Sequence, residues 1–489
     1  MKDLTSRQKD YAVFLPAISS FYATYIGKQR SDPNYIPSTR IPTAFTNGVE
    51  ELNFLEPEAG SFYYKYALYS AGHADLDLTK DVPREDWIRQ RPRDGSSLLV
   101  GDSGGFQIGK GRWEGDWKDP NCPKAQKKRD LVLKWMDGLM DYGMVLDIPA
   151  WVVRDVDVAN KVGILTYEDA CKATIINNEY FMKHSTGACK FLNVLQGENH
   201  QEADDWYARM KDYSDPKVYP ETHFRGWSMG GQNMCDVHLL LKRLVHIRHD
   251  GLLEKGKHDW MHFLGTSKLE WATLLTDVQR AVRKYHNENF TISFDSASAF
   301  LSTANGLVYT HNLFTPKRWS YIMEKAPDDK RLKGSDIPFP FKSAIGERLE
   351  MKDICWYGEG DLNKNNKEGK TSWDSFSYTL MMAHNVYNHI RAVQIANDMN
   401  DIERLKHQPD PRAWMKVKNA DNTDEPSEFV PRNILYFNTL VEQVFTSETP
   451  MEVISNARAF LADIRGTRWQ RATGGGKGKN NFGSLFEGG

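Results

Sequence analysis

The sequence predicts an α/β protein, a (β/α)8 TIM barrel with a mainly helical C-terminal extension. Three observations carry this. Eight strand-length runs recur between Tyr11 and Asp295, helical periodicity fills the later intervals, and most runs end in acids, amides or small residues. The runs are YAVFLP (Tyr11 to Pro16), KYALYS (Lys65 to Ser70), LLVGD (Leu98 to Asp102), GMVLD (Gly143 to Asp147), FLNVLQ (Phe191 to Gln196), RGWSMG (Arg225 to Gly230), MHFLG (Met261 to Gly265) and TISFD (Thr291 to Asp295). Leu98, Leu99 and Val100 read as a strand covered on both faces. Gly104 and Gly105 then let the chain turn away.

Between the runs, Leu131, Trp135 and Leu139 form one stripe of a helix over Lys128 to Met140. Val237, Leu241, Leu244 and Ile247 do the same over Met234 to His249. TYED (Thr166 to Asp169) and SKLE (Ser267 to Glu270) place a hydroxyl three residues before an acid, the pattern of a capped helix start. Past residue 300 the periodicity is helical, with Trp373, Phe376, Leu380, Met381, Val386 and Ile390 on one segment. TPMEV (Thr449 to Val453) starts another helix with a cap and a proline. The expected organisation is a barrel over 1–310, a helical region over 311–472 and a flexible glycine-rich tail over 473–489. Glu359 to Lys370 reads as a polar loop.

At 489 residues, with 40% hydrophobic and 26% charged content, the chain has the composition of a globular protein. No run approaches the roughly 18 apolar residues of a membrane span, and the N-terminus has no apolar leader core. The expectation is a cytoplasmic protein with no membrane partner. Five cysteines without a CxxC pair read as reduced thiols. A net charge of -2 does not advertise nucleic-acid binding, although local basic patches can supply it. GGGKGKN near the C-terminus follows no strand and lacks Ser or Thr after Lys479, so it is not a phosphate loop.

The strand ends present Asp102, Asp147, Gln196 with Gly197, Gly230 with Gly231, Gly265 and Asp295. Singly, each is accounted for as a turn, a cap or a backbone necessity. Together, on successive strands, they describe a pocket for a flat, hydrogen-bonding ligand such as a purine, with two carboxylates able to divide glycosidic chemistry.

The ordered series DSGGFQ (Asp102 to Gln107), VLD (Val145 to Asp147), VLQG (Val194 to Gly197), SMGG (Ser228 to Gly231), FLGTS (Phe263 to Ser267) and SFDS (Ser293 to Ser296) resembles the motifs of the tRNA-guanine transglycosylase superfamily. The resemblance resumes at MMAHNVYNHI (Met381 to Ile390). It implies that Asp295 is the nucleophile and Asp102 the general acid/base, that Ser103 also lines the base site, and that Phe106 stacks on the base opposite Leu264. It further implies that Asp147, Gln196 and the backbone of Gly230, Gly231 and Gly265 contact the base. No redox or nucleotide cofactor is required. The family's zinc site is reduced to Cys355 and His384, with Asp353 or His389 as the candidates for completing it. A packing cysteine and a helix histidine without zinc are the alternative.

The tRNA enzymes follow the nucleophile with an arginine-bearing segment. Here Ser296 to Thr310 has no basic residue. That departure resembles the DpdA-type DNA-guanine transglycosylases of phages and bacteria. The implied partners are DNA and a 7-deazaguanine base, expected to be 7-cyano-7-deazaguanine, with the target base flipped into the barrel mouth. A homodimer is left open. Arg84 to Arg93, Gly109 to Trp113, Lys124 to Arg129 and Arg465 to Arg471 are the basic, aromatic-interleaved candidates for backbone contact. The alternatives are a tRNA-guanine transglycosylase, a catalytically silent nucleic-acid-binding subunit and an unrelated barrel glycosidase.

Overall fold

The structure is a computed structural model and describes residues 2–74, 76, 93–111, 116–356, 362, 371–407, 413–415, 427–462 and 464. Eight parallel strands form a nearly closed barrel: β1 (Val13–Pro16), β2 (Tyr66–Ser70), β3 (Leu98–Asp102), β4 (Tyr142–Met144), β5 (Lys190–Leu195), β6 (Gly226–Met229), β7 (Trp260–Phe263) and β8 (Thr291–Ser296). Each strand pairs with the next in sequence from β2 to β8, and β8 returns to β1. A single parallel bridge, Ala17 to Leu68, and the bond from the Ile18 N–H to the Leu68 carbonyl (2.9 Å) join β1 to β2.

Helices α1 (Ser20–Ser31), α2 (Pro123–Leu139), α3 (Tyr167–His184), α4 (His200–Met210), α5 (Val237–His249) and α6 (Leu269–Tyr285) follow β1, β3, β4, β5, β6 and β7. The capping box at Thr166 and Asp169 forms as the sequence predicts. Ser267 does not cap α6. The helix starts one residue later, with Lys268 at the cap position, and Glu270 instead accepts from the Trp319 N–H at 2.9 Å.

β4 leaves the ladder earlier than its apolar run suggests. Polar groups on the buried face of α3 take over its backbone: the Ile148 N–H donates to Thr174 Oγ1 (3.0 Å) and Asn177 Nδ2 donates to the Leu146 carbonyl (2.8 Å). Asp147 therefore stands on an extended segment past the strand, not on it.

After β8 come α7 (Ser298–Ala304) and a hairpin that the helical reading of this region missed, β9 (Leu307–Phe314) with β10 (Trp319–Lys325). The 33-residue α8 (Ser375–His407) is tied to the rest of the fold by two ion pairs, one buried just before its start and one partly buried near its end. Arg40 grips Asp374 with two bonds of 2.7 Å, and Arg404 grips Asp277 with two of 2.6 Å. Beyond it, α9 (Phe437–Thr446) packs on α6, and α10 (Pro450–Asn456) opens with its proline as expected. The tail over 473–489 lies outside the described residues, as does the loop 359–370 apart from Leu362. No described helix is long and apolar enough to cross a membrane.

In-register residues on adjacent parallel strands project to the same side. Val194, Ser228, His262, Ser293 and Val13 are such a row across β5 to β8 and β1. Two residues further along β8, Asp295 lies on the same side at the C-terminal mouth.

Candidate active site

Asp295 is 9% exposed, and its Oδ1 accepts the Gly265 N–H at 2.6 Å. The loop after β7 thus aims a backbone donor at the carboxylate of β8. Asp102, at the end of β3, is half-buried and accepts from the Gly104 N–H at 3.3 Å and from the Ser70 hydroxyl. Burial raises its pKa, and the charge of Asp295 raises it further, against the opposing effects of Ser70, Gly104 and His73.

Asp147 is buried and accepts from Gln196 Nε2 at 2.7 Å. Burial pushes its carboxyl up from 3.8 to about 7, the Asp102 charge adds to this, and the Gln196 bond opposes it. Gly105 has to be glycine: a Cβ there would lie 2.7 Å from the Asp147 carbonyl oxygen and 3.0 Å from its Oδ1. This explains the second glycine of DSGG, which lets the turn after β3 close onto the acid after β4. Gly231 has φ +53°, and a Cβ would lie 2.3 Å from the Gly197 carbonyl. Gly230 beside it donates its N–H to the Leu195 carbonyl (2.8 Å) and accepts from the Asn233 N–H (3.1 Å), so this turn is tied to the loop after β5.

Ser103 is fully buried. Phe106 and Leu264 are half-buried in the segments after β3 and β7. The Phe106 ring lies 5.6 Å from that of Trp151, tilted by 53°, and Lys110 Nζ sits 5.6 Å from each ring. Buried polar atoms without a hydrogen-bond partner gather in this end of the barrel: Ser103 Oγ, Gln107 Oε1, Gln196 Oε1, Ser228 Oγ and Thr266 Oγ1. Such atoms are costly to bury and expect a polar partner.

His262 was not singled out from the sequence, where a histidine inside an apolar run reads as core. Strand register reveals it. Its Nε2 points toward Asp295 Oδ1 at 3.3 Å, in a geometry that falls short of a hydrogen bond, while its Nδ1 lies 2.9 Å from Ser293 Oγ.

Cys355 and His384 do not fit a zinc site. Cys355 Sγ is directed at the Pro327 carbonyl (3.5 Å). His384 Nε2 donates to the Tyr309 carbonyl (2.9 Å), and Nδ1 accepts from Ser343 Oγ (2.9 Å), whose own acceptor role is filled by the Gly346 N–H. Burial lowers its pKa to about 4, so it stays a neutral bridge between α8 and the hairpin. Asp353 accepts from the Glu350 N–H at 2.8 Å, and His389 is packed among Phe14, Tyr309 and Tyr321. Among the described residues no three His, Cys, Asp or Glu side chains come together in a metal-binding group.

Of the basic segments, only Lys124 to Arg129 is wholly described. Arg129 is buried, donating to Asn177 Oδ1 at 2.7 Å and to the Pro120 carbonyl, and Lys128 is buried too. That corrects the expectation for both residues, which are buried away from solvent, with Arg129 linking α2 to Asn177 of α3. Lys124 is exposed. Residues 84–92, 112–113 and 465–471 lie outside the described residues.

The fold and site together define a parallel eight-stranded barrel with a carboxylate-rich C-terminal mouth. No family model and no curated protein matches the chain.

Proposed function

We propose that this chain is a DNA-guanine transglycosylase, exchanging guanine in DNA for a 7-deazaguanine base, 7-cyano-7-deazaguanine being the expected one. The observation that carries the reading is geometric: Asp102 at the end of β3 and Asp295 near the end of β8 both stand at the C-terminal mouth in different surroundings, and burial raises the pKa of the first. Two carboxylates so divided suit an acid and a nucleophile.

In the first half-reaction an Asp295 oxygen bonds to C1′ as the C1′–N9 bond breaks. The bonding electrons pass to guanine, and Asp102 supplies a proton to the departing base. In the second, ionised Asp102 takes the N9 proton of the incoming base, N9 bonds to C1′, and the ester to Asp295 breaks. Charge and protons balance over the cycle. Asp147 and Gln196 offer acceptors and a donor to the base edge, and the unpartnered buried oxygens around them favour a ligand rich in N–H groups. The absence of Lys or Arg from Ser296 to Thr310 favours DNA over an anticodon loop.

The test is incubation with duplex DNA, single-stranded DNA or tRNA plus each labelled 7-deazaguanine, followed by nucleoside digestion and mass spectrometry. Label in deoxynucleosides supports the reading. Label only in tRNA shifts the substrate, and label in neither overturns it.

A further inference from the structure

We propose that His262 is a positioning residue for Asp295, set by a polar chain through Ser293 and Trp260, and that it leaves Oδ2 as the attacking oxygen. This rests on the assignment of Asp295 as nucleophile. Trp260 Nε1 has only a proton to give, and it donates to Ser293 Oγ at 2.8 Å. The Ser293 hydroxyl, which can donate while it accepts there, lies 2.9 Å from His262 Nδ1 and has its own proton to offer that nitrogen. The complementary arrangement puts hydrogen on Nε2, because that atom faces Asp295 Oδ1 at 3.3 Å and a carboxylate oxygen only accepts. All three side chains are buried, and among the described residues Nε2 has no hydrogen-bond partner.

Both donors, the Gly265 N–H at 2.6 Å and His262 Nε2, address the same oxygen. Oδ1 is held by the Gly265 N–H and faced by His262, and Oδ2 is left for C1′. In the glycosyl ester Oδ1 becomes the carbonyl oxygen. When N9 of the second base displaces the carboxylate, charge returns to Oδ1 against the two donors, so closing the His262 contact assists departure of the leaving group. The imidazole exchanges no proton in either step.

Glutamine and asparagine separate this role from simple filling of space, because the amide nitrogen of glutamine reaches the ε position while that of asparagine stops at δ. The experiment measures single-turnover formation and breakdown of the covalent protein–DNA adduct, with base affinity and thermal midpoint as controls. His262→Asn is expected to slow adduct breakdown about 10- to 100-fold, the value of a hydrogen bond to a charged group, with base affinity unchanged. His262→Gln is expected to stay within about threefold of wild type on the same basis. Ser293→Ala, which frees the tautomer, should fall between them. Equal rates for His262→Asn and wild type, or equal losses in the Asn and Gln variants, overturn the proposal. If wild type itself forms no adduct that Asp295→Asn abolishes, the nucleophile assignment has failed instead.

Discussion

Replacing Asp147 by asparagine is expected to stabilise the protein, by an amount that grows as pH rises from about 4 to above 7. The carboxyl titrates near 3.8 in an open chain and near 7 in the folded barrel, where burial disfavours its charge. Between those values the folded state holds a proton that the unfolded state has released, so stability falls as pH rises. At ~1.4 kcal/mol per pH unit the full cost of ionised Asp147 is about 4 kcal/mol, present above pH 8, with under half of it present at pH 5. The substituted asparagine carries no charge and can keep the Gln196 Nε2 donor, while its amide can turn to the unpartnered Gln196 Oε1. Urea unfolding of wild type and Asp147→Asn at pH 5 and pH 8.5 reads this directly. The stability gained by the variant should grow by roughly 2 to 3 kcal/mol between the two conditions. A difference that stays constant with pH refutes the placement of Asp147 as a buried acid. Base binding should weaken in the same variant, because an amide offers one acceptor where a carboxylate offers two.

Asp295→Asn should abolish both base exchange and the protein–DNA adduct while retaining base affinity by calorimetry. Asp102→Asn is expected to differ in kind, accumulating adduct on denaturing gels while exchange drops about 100-fold or more, the scale of general acid–base catalysis. Gly105→Ala should destabilise the barrel by about 1 to 3 kcal/mol and raise the dissociation constant for the base, since its methyl group enters the space of the Asp147 carbonyl. Chelation should leave the thermal midpoint unchanged, and elemental analysis of the purified protein should show no stoichiometric zinc. A full equivalent would mean that the hydrogen bonds of His384 are displaced by metal.

The barrel strands were legible because a strand covered on both faces is written as a short apolar run, and all eight runs correspond to observed strands within three residues at either end. The carboxylates at their ends were legible for the same reason, as polar residues interrupting apolar patterning. What escaped depended on partners far away in sequence. Asp147 leaves its strand because Thr174 and Asn177, which look like the polar side of α3, are turned inward to its backbone. His262 gains its meaning from Ser293 on the next strand, a pairing that only register fixes. The β9–β10 hairpin was hidden by its mixed pattern, half buried and half exposed, and is held by Asn385 of α8, which accepts the Tyr309 N–H at 2.8 Å.

The join between β1 and β2 has a consequence for how the two carboxylates meet. Every other neighbouring pair in the barrel shares at least two rungs, but this one has a single bridge at Ala17 and Leu68. Sheets breathe first where they are least laced, and amides there exchange with solvent earliest. Asp295 stands on β8, beside the first member of this join, and Asp102 on β3, beside the second. The span between them is thus governed by the slackest stitch in the wall, whereas Asp147, Gln196 and Gly230 follow successive strands on the opposite arc. Under the proposed function, a nucleotide entering the mouth would widen the jaws that carry Asp295 and Asp102 and leave the arc of Asp147, Gln196 and Gly230 undisturbed.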